Sequence, residues 1–211
     1  MSDDVMKLFS SKDYEVTQKE SLYEGYFQLS RYHLRHRRFD GEWSNTFSRE
    51  VFERKSAAAV LPYDPVLDKI VLIEQFRTPI LANAKHSYPW IIEVVAGVFD
   101  KDESPADLIK REAIEEAGCT IQQLHPICEY FVSPGGSNEY LHLFIGEIDA
   151  TDAGGNYGLM EENEDIRAFA VSTDEAFVML RDGKIKTSPA IIALQWLQIN
   201  RQWLKQLWQK K

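Results

Sequence analysis

Three glutamates near the middle of the chain have a spacing that places carboxylates on one face of a helix. Glu112 and Glu116 are four residues apart, and Glu115 is three residues from Glu112, so a helix would bring their side chains together. Like charges at this spacing destabilise a bare helix, but a divalent cation bound between them would reverse the sign. Mg²⁺ is a hard cation that prefers oxygen ligands. The pattern predicts a magnesium-binding helix face, and the alternative interpretation is a solvated acidic face.

Signals on both sides of the glutamates predict where this helix begins and ends. Ser104 can cap a helix whose first residue is Pro105, and Asp107 lies in the first turn, where acidic residues are favoured. Gly118 can adopt positive φ after the last turn. We therefore expect a helix that begins at Pro105 and ends at Gly118.

The glutamates belong to a longer motif with the spacing G-x5-E-x7-R-E-x-x-E-E-x-G. Its fixed positions are Gly97, Glu103, Arg111, Glu112, Glu115, Glu116 and Gly118. This spacing matches the signature of the Nudix hydrolases, which cleave nucleoside diphosphates linked to another moiety. A chance match has a probability on the order of one in a million. Cys119 is a mild departure, because the family usually has Ile, Leu or Val there, and it should affect packing more than chemistry.

The resemblance extends beyond the motif to most of the chain. From the segment around Leu22–Phe27 to the C-terminal sequence ALQWLQ, the chain looks like the bacterial ADP-ribose pyrophosphatases of the Nudix family. Pro134 falls fifteen residues beyond Cys119, and a proline at about this spacing marks that subgroup. The resemblance implies an α/β fold, the Nudix α/β/α sandwich with a mixed sheet.

For metal binding, the resemblance implies a cluster of oxygen ligands. Glu112 and Glu116 are the expected metal ligands, the backbone carbonyl of Ala96 faces the cluster, and Glu164 matches a further metal-linked position. Glu115 is a third acidic member, to which we assign a catalytic role. The expected cofactor is Mg²⁺, with more than one ion bound and Mn²⁺ as a substitute.

An acidic stretch, residues 161–165, follows the glycine-rich sequence GGNYGLM. Composition alone favours an exposed acidic turn. In the related pyrophosphatases, however, the catalytic base lies on this mobile loop, at the position that matches Glu162. A base on a loop suits the chemistry, because closure over the substrate would order the glutamate and exclude water. The sequence leaves open whether Glu161 or Glu162 points inward, and the matching register favours Glu162.

Arginines are the candidates for binding the phosphates. Arg77 follows the apolar run VLIEQF, and the resemblance places Arg49 near the nucleotide, contributed across a dimer interface. A planar guanidinium suits both phosphate and a stacked adenine, and the alternative for each arginine is a surface salt bridge. Tyr26 is the candidate for stacking on the adenine, with Trp43 as the other possibility. Glu103 and Arg111 are expected to brace the motif by an ion pair.

The segment SPGGSNE, from Ser133 to Glu139, lies between two predicted strands. Its glycines allow the backbone to approach a ligand closely, so Ser133 and Glu139 are predicted to contact substrate. An ordinary β-turn is the alternative interpretation, and the two are compatible.

The N-terminal part of the chain has strand-like sequence. Two such runs between Leu22 and Phe52 flank Asp40-Gly41, which is a strong hairpin signal. We expect a small antiparallel β unit over residues 1–55 that serves dimerisation and base binding, with residues 1–20 a mobile start. A sheet of this size is not stable alone. The resemblance implies homodimers whose N-terminal sheets exchange across the interface.

Residues 56–211 are predicted to form the Nudix domain. Strands are expected at AAAVLP, KIVLIEQF and IIEVVA before the motif and at ICEYFV, LHLFIGEI and RAFAV after it, with Pro62–Pro65 as a turn. Ser172 and Glu175 form a capping box for a short helix, and Ser188 opens a longer one.

Composition limits the partners. The 211 residues are 44% hydrophobic and 27% charged, as in ordinary globular proteins. The net charge of −9 argues against nucleic acid or an anionic membrane as partner. The sequence has no apolar run of membrane-spanning length and no apolar signal region, so a cytoplasmic location is expected. Cys119 and Cys128 are expected to be reduced core residues.

Together these features predict Mg²⁺-dependent hydrolysis of the pyrophosphate bond of ADP-ribose to AMP and ribose 5-phosphate. The expected partner is a small-molecule nucleotide sugar. One alternative is a pyrophosphatase for another nucleotide sugar such as GDP-mannose. The other is a non-catalytic sensor that binds ADP-ribose without cleaving it.

Overall fold

The computed structural model describes residues 9–83, 88–99 and 103–208, apart from the side chain of Glu162. The chain divides into two compact units. The N-terminal unit is Met1–Lys55 together with Phe131–Glu139, and the main unit is Ser56–Tyr130 together with Tyr140–Lys211. Within the described residues, no helix combines the length and apolar character needed to cross a bilayer.

The N-terminal unit contains a three-stranded antiparallel sheet. Its strands, in spatial as well as chain order, are β1 (Tyr14–Glu24), β2 (Gln28–His36) and β3 (Phe47–Glu53). The predicted turn lies between β2 and β3, where the Gly41 amide donates to the Arg38 carbonyl at 2.9 Å and Gly41 has φ of 93°.

The expectation of a mobile start over residues 1–20 is wrong from Tyr14 onward. β1 pairs with β2 from Tyr14↔His36 to Glu24↔Gln28. Its side chains are mostly exposed, so no apolar alternation marks the strand in the sequence. Ion pairs across the strands stabilise it instead: Arg35 contacts Glu15 at 2.7 Å.

The main unit is built on a mixed eight-stranded sheet. The strand order is β10-β11-β5-β4-β9-β8, with β6 paired to β5 and β7 paired to β4; β4 and β9 are parallel. The strands are β4 (Ala57–Asp64), β5 (Lys69–Phe76), β6 (Trp90–Glu93), β7 (Val95–Val98), β8 (Gln123–Phe131), β9 (Tyr140–Glu147), β10 (Gly154–Tyr157) and β11 (Ile166–Ser172). The helices are α1 (Thr78–Leu81), α2 (Pro105–Ala117), α3 (Thr173–Arg181) and α4 (Ser188–Trp208).

Helices cover both faces of this sheet. Buried residues of α2, such as Leu108 and Ala113, pack with Val71 of β5 on one face. Buried residues of α3 and α4, such as Leu194, pack with Leu72 on the other. The predicted α/β fold, a mixed sheet between helices with a small antiparallel sheet at the N-terminus, is confirmed.

Strands β4 and β5 separate after two residue pairs, Tyr63↔Ile70 and Asp64↔Lys69, and β6 and β7 occupy the space between them. β6 pairs with the end of β5 and β7 with the start of β4. The expected single strand IIEVVA is therefore two strands, because the segment changes partner at Val94. Pro62 lies within β4 rather than in a turn. It is tolerated where β4 passes from its β7 pairs to its β5 pairs.

Local signals around the helices are confirmed. The Ser104 side chain accepts a hydrogen bond from the Asp107 amide, and Gly118 ends α2 with φ of 61°. Ser172 and Glu175 form the predicted capping box of α3. The expectation for the cysteines holds for Cys119, which is buried, and is wrong for Cys128, which is exposed; both are free thiols.

Candidate active site

Helix α2 holds two glutamates against strand β7. The Ala96 amide donates to Oε2 of Glu116 at 3.0 Å. Gly97, the next residue of β7, faces Glu112, and a Cβ at position 97 would overlap the Glu112 carboxyl group. The first glycine of the motif therefore leaves room for the first of these glutamates.

Both carboxyl groups are taken out of water. Glu116 is only 5% exposed, and burial raises its pKa to about 8, although the Ala96 amide and the charge of Arg77 act in the opposite direction. Burial also raises the pKa of Glu112 to about 7, against the effect of Arg111. Uncompensated burial of carboxylates is unfavourable, so this pair is suited to a cation that would favour its charged form.

Arg111 lies among the carboxylates of the motif. Its Nη1 is 2.9 Å from Oε1 of Glu112 and 2.7 Å from Oε2 of Glu115, and its Nη2 is 3.2 Å from Oε1 of Glu103. The predicted Glu103–Arg111 ion pair is thus confirmed. Glu115, predicted to be catalytic, contacts Arg111.

The orientations of the acidic side chains reflect these contacts. Glu112 and Glu115 are directed to Arg111, and Glu116 is directed to the Ala96 amide. Over residues 9–83, 88–99 and 103–208, no group of three or more His, Cys, Asp or Glu side chains forms a metal-binding arrangement.

The acidic loop approaches α2 through its glycines. Part of the predicted glycine-rich loop forms β10, and the Gly158 amide donates to the Glu115 carbonyl at 3.2 Å. The Leu159 amide donates to Oε2 of Glu164 at 3.4 Å. Glu164 is partly buried, and its charge raises the pKa of Glu116.

The predicted base falls in a short 3-10 turn, Met160–Glu162, of this loop. The side chain of Glu162 lies outside the described part of the chain. Its neighbour Glu161 is exposed.

Arg77 lies at the end of β5, as predicted, and is oriented by an acidic residue. Its Nε donates to Oε2 of Glu93 at 2.8 Å, and its amide donates to the Pro89 carbonyl. Its charge lowers the pKa of Glu116. Sequence reasoning missed Glu93, although a lone acid inside the apolar run IIEVVA was an available signal.

Six of the predicted site residues belong to the main unit. They are Arg77, Ala96, Glu112, Glu115, Glu116 and Glu164. The other four residues with described side chains, Tyr26, Arg49, Ser133 and Glu139, belong to the N-terminal unit.

Two of these residues lie on the three-stranded sheet. Arg49 is exposed on β3, with its guanidinium 4.7 Å from the ring centroid of Phe47. Tyr26 lies between β1 and β2 and is 93% exposed. The ring of Trp43, the other stacking candidate, already contacts the guanidinium groups of Arg35 and Arg37, at 4.7 and 4.5 Å. Tyr26 is the more open of the two rings.

Ser133 and Glu139 flank a tight turn. The Ser133 carbonyl accepts from the amides of Gly136 and Ser137, at 3.1 and 2.9 Å, so the β-turn interpretation is confirmed. The Glu139 carboxylate is 3.3 Å from Nη2 of Arg54, whose amide donates to the Asn138 side chain. Sequence reasoning did not identify Arg54 as the partner of Glu139, because the two residues are far apart in the chain.

Comparison with known proteins identifies the family. Residues 53–194 match the NUDIX domain profile. The chain is 45% identical over 206 residues to an ADP-ribose pyrophosphatase of Escherichia coli (strain K12), covering 98% of each chain. An ADP-ribose pyrophosphatase of Haemophilus influenzae is 40% identical, with 96% of this chain and 94% of that protein covered.

More distant matches include a relative named for a different substrate and a solved structure with the same fold. A GDP-mannose pyrophosphatase of Cronobacter sakazakii is 36% identical over 90% of this chain and 97% of its own length. The crystal structure of an ADP compounds hydrolase shares the fold, with a TM-score of 0.68 and 18% identity over 95% of this chain and 98% of that one. The glutamates of α2, the glycine that faces them and these matches lead to one conclusion: the chain belongs to the Nudix family.

Proposed function

We propose that this Nudix hydrolase cleaves the pyrophosphate bond of ADP-ribose and releases AMP and ribose 5-phosphate. The observation that carries the proposal is the pair of glutamates held against β7 in the Nudix motif, Glu116 buried and Glu112 partly buried. The substrate is supported by the 45% identity, over almost the whole chain, to a protein named ADP-ribose pyrophosphatase.

The residues of the main unit suit a divalent cation. We propose Mg²⁺, with more than one ion bound and Mn²⁺ as a substitute, held by Glu112, Glu116, Glu164 and the Ala96 carbonyl. These are hard oxygen donors of the kind Mg²⁺ prefers. Burial of both α2 carboxylates supports the assignment, since a cation would compensate charges that are otherwise unfavourable there. When bound, the cation would neutralise the pyrophosphate oxygens and favour attack at phosphorus.

Side chains are proposed to activate the water, bind the pyrophosphate and position the glutamates. Glu162 is proposed to accept the proton of the attacking water. The water oxygen bonds to one phosphorus while the bond from that phosphorus to the bridging oxygen breaks, so each product keeps one phosphate. Arg77, oriented by Glu93, supplies positive charge to the pyrophosphate. Arg111 keeps Glu115 and Glu112 in place.

The N-terminal unit is proposed to recognise the nucleotide. Tyr26 would stack on the adenine and Arg49 would bind nearby, while Ser133 and Glu139 would contact the substrate from their turn. We further propose a cytoplasmic homodimer in which the N-terminal β units exchange. Exposed apolar side chains of this unit, such as Val16 and Tyr23, support the proposal, because a partner subunit would cover them.

A second candidate substrate is GDP-mannose, because a protein named GDP-mannose pyrophosphatase is 36% identical over 90% of this chain. The motif residues would act on the pyrophosphate that both substrates share. Selection between the two would therefore depend on contacts with the base and sugar.

Product analysis tests the proposal. Incubation with ADP-ribose and Mg²⁺ should yield AMP and ribose 5-phosphate in equal amounts on anion-exchange chromatography, and EDTA should abolish both. Adenosine with free phosphate as the first products would contradict cleavage between the phosphates. Tight binding of ADP-ribose without any product would favour the sensor.

A further inference from the structure

Gln75, near the end of β5, is a buried polar side chain to which the proposed mechanism gives no role. It is only 5% exposed. Its Nε2 has no hydrogen-bond partner among the residues that the structure describes. A buried amide donor without a partner destabilises the fold, and such a group in a native protein calls for an explanation.

The register of the sheet places Gln75 on the same face as α2. Side chains alternate along a strand, so Gln75 shares a face with Val71 and Ile73, which belong to the core beneath α2. Its neighbours across the strands are Ile91 of β6 and Ile166 of β11. The amide therefore points to the side of the sheet that carries the candidate active site.

Two residues of that site lie next to Gln75 along the chain or across the sheet. Arg77 is two residues further along the chain, just past the end of β5, and Glu164 is two residues before Ile166, the partner of Gln75 in β11. The charges of both Arg77 and Glu164 act on Glu116. Gln75 thus lies at the end of β5 that is nearest, in sequence and in register, to Arg77 and Glu164.

The carboxylate of Glu164 has capacity for another donor. In the described part of the chain, it accepts from the Leu159 amide at the long distance of 3.4 Å. An ionised carboxylate can accept about four hydrogen bonds. When one oxygen binds a cation, a hydrogen bond to the carboxylate from an outer residue fixes its orientation.

We propose that Gln75 is a positioning residue of the metal site, with Nε2 donating to the Glu164 carboxylate when the site holds its cation. This inference rests on the proposed function, because it takes Glu164 as a metal ligand. It also explains why a costly buried amide is present beneath the site.

The test measures Mn²⁺ binding to the free protein by electron paramagnetic resonance titration. Gln75→Met removes the donor and keeps the length of the side chain. Loss of an outer-shell partner should raise the Kd for Mn²⁺ by about tenfold or more. The Tm of the variant should equal or exceed that of the wild type, because an unpartnered buried donor is removed.

Thr173→Val is the matched control. Thr173 is fully buried, and its Oγ1 has no partner among the described residues, so this variant also removes an unpartnered polar atom. Thr173 follows Ser172, which pairs with Lys69 at the other end of β5, about 20 Å along the strand from Gln75. Its Kd for Mn²⁺ should match that of the wild type.

An unchanged Mn²⁺ Kd in Gln75→Met would overturn the proposal. If the KM for ADP-ribose rose alone, Gln75 would be a substrate contact; if neither changed, its role would be structural. Gln75→Leu is the second variant if Gln75→Met does not fold, and failure of both to fold would also contradict a positioning role. Wild-type protein that binds Mn²⁺ but does not hydrolyse ADP-ribose would refute the proposed function and leave the result for Gln75 intact.

Discussion

The candidate residues of the two units are held in opposite ways. In the main unit, Glu116 is buried, bonded to a backbone amide and shifted in pKa. In the N-terminal unit, Tyr26 is almost fully exposed, and the exposed guanidinium of Arg49 lies against the Phe47 ring and donates to the Ser48 carbonyl. Catalysis requires charged groups that are fixed before the substrate arrives, whereas recognition can use a surface that is covered on binding. We therefore expect changes in the main unit to lower kcat and changes in the N-terminal unit to raise KM.

The largest effect is expected from Glu116→Gln. Loss of this proposed metal ligand should lower kcat by about 10³-fold or more, since metal-ion catalysis contributes several kcal/mol and each tenfold in rate corresponds to about 1.4 kcal/mol. The fold should persist, because the glutamine can still accept from the Ala96 amide. Steady-state kinetics and thermal melts check both points, with Glu112→Gln as a second variant. Wild-type rates in both variants would contradict the assignment of Glu112 and Glu116 as metal ligands.

The next largest effect should come from Glu162→Gln. If this residue is the base, kcat should fall by about 10²- to 10⁴-fold, with little change in the KM for ADP-ribose. Glu161→Gln is the matched control, since it changes the adjacent glutamate in the same way, and it should retain the wild-type rate. The reverse result would assign the base to Glu161. A large rise in KM at unchanged kcat would make Glu162 a binding residue.

Gly97→Ala tests how precisely β7 positions the glutamates. The new methyl group would overlap the Glu112 carboxyl group, and a displacement of this kind should lower kcat by about 10²-fold. Gly135→Ala is the control in the N-terminal unit, where an added Cβ has no atom within 4 Å. Equal kcat values for both variants would contradict the difference in preorganisation between the units.

In the N-terminal unit, Tyr26→Ala should raise the KM for ADP-ribose by about tenfold, because stacking of one base on an aromatic ring contributes about 1–3 kcal/mol. Its kcat should stay close to that of the wild type. The same change at Trp43, whose ring is already covered by two arginines, should have less effect. A larger rise in KM for Trp43→Ala would make Trp43 the stacking residue. A loss of kcat in Tyr26→Ala would contradict the expectation that changes in the N-terminal unit act on KM alone.

The last effect is on stability rather than on activity, and it depends on pH. Burial raises the pKa of Glu116 in the folded protein from 4.5 to about 8, so the folded state favours the protonated form. Without divalent cations, the contribution of this group to the free energy of unfolding should be lost as pH rises from 4.5 through about 8. Thermal melts in EDTA should therefore show the Tm of the wild type falling, relative to Glu116→Gln, between pH 5 and pH 8. A difference in Tm that does not depend on pH would contradict this.

Features set by local sequence were predictable. Helix α2 begins at Pro105 and is followed by Gly118 as expected, because a capping residue, a proline and a glycine act on their own neighbours. The hairpin turn at Gly41 has the same origin. The face of α2 that carries Glu112 and Glu116 follows from helical spacing alone.

Features set by distant partners were not predictable. β1 forms because of residues on β2 such as Arg35, twenty positions from Glu15. Val94 separates two strands only because β4 and β5 diverge on either side. The partner of Arg77 is Glu93, sixteen residues away, and the position of Gln75 beneath the site depends on its register with β11. Apart from the lone acid Glu93 within the apolar run IIEVVA, these pairings leave no local signal in the sequence.

The central claim is that the acidic residues of the main unit serve the hydrolysis of ADP-ribose. The most direct test is kcat/KM with Mg²⁺ for ADP-ribose, GDP-mannose, ADP-glucose and NADH in a phosphatase-coupled assay. A preference of about tenfold or more for ADP-ribose is expected, since base and sugar contacts of this size separate related substrates. A preference for GDP-mannose would keep the metal site and contradict the proposed substrate, and no turnover of any of the four would contradict the proposed activity.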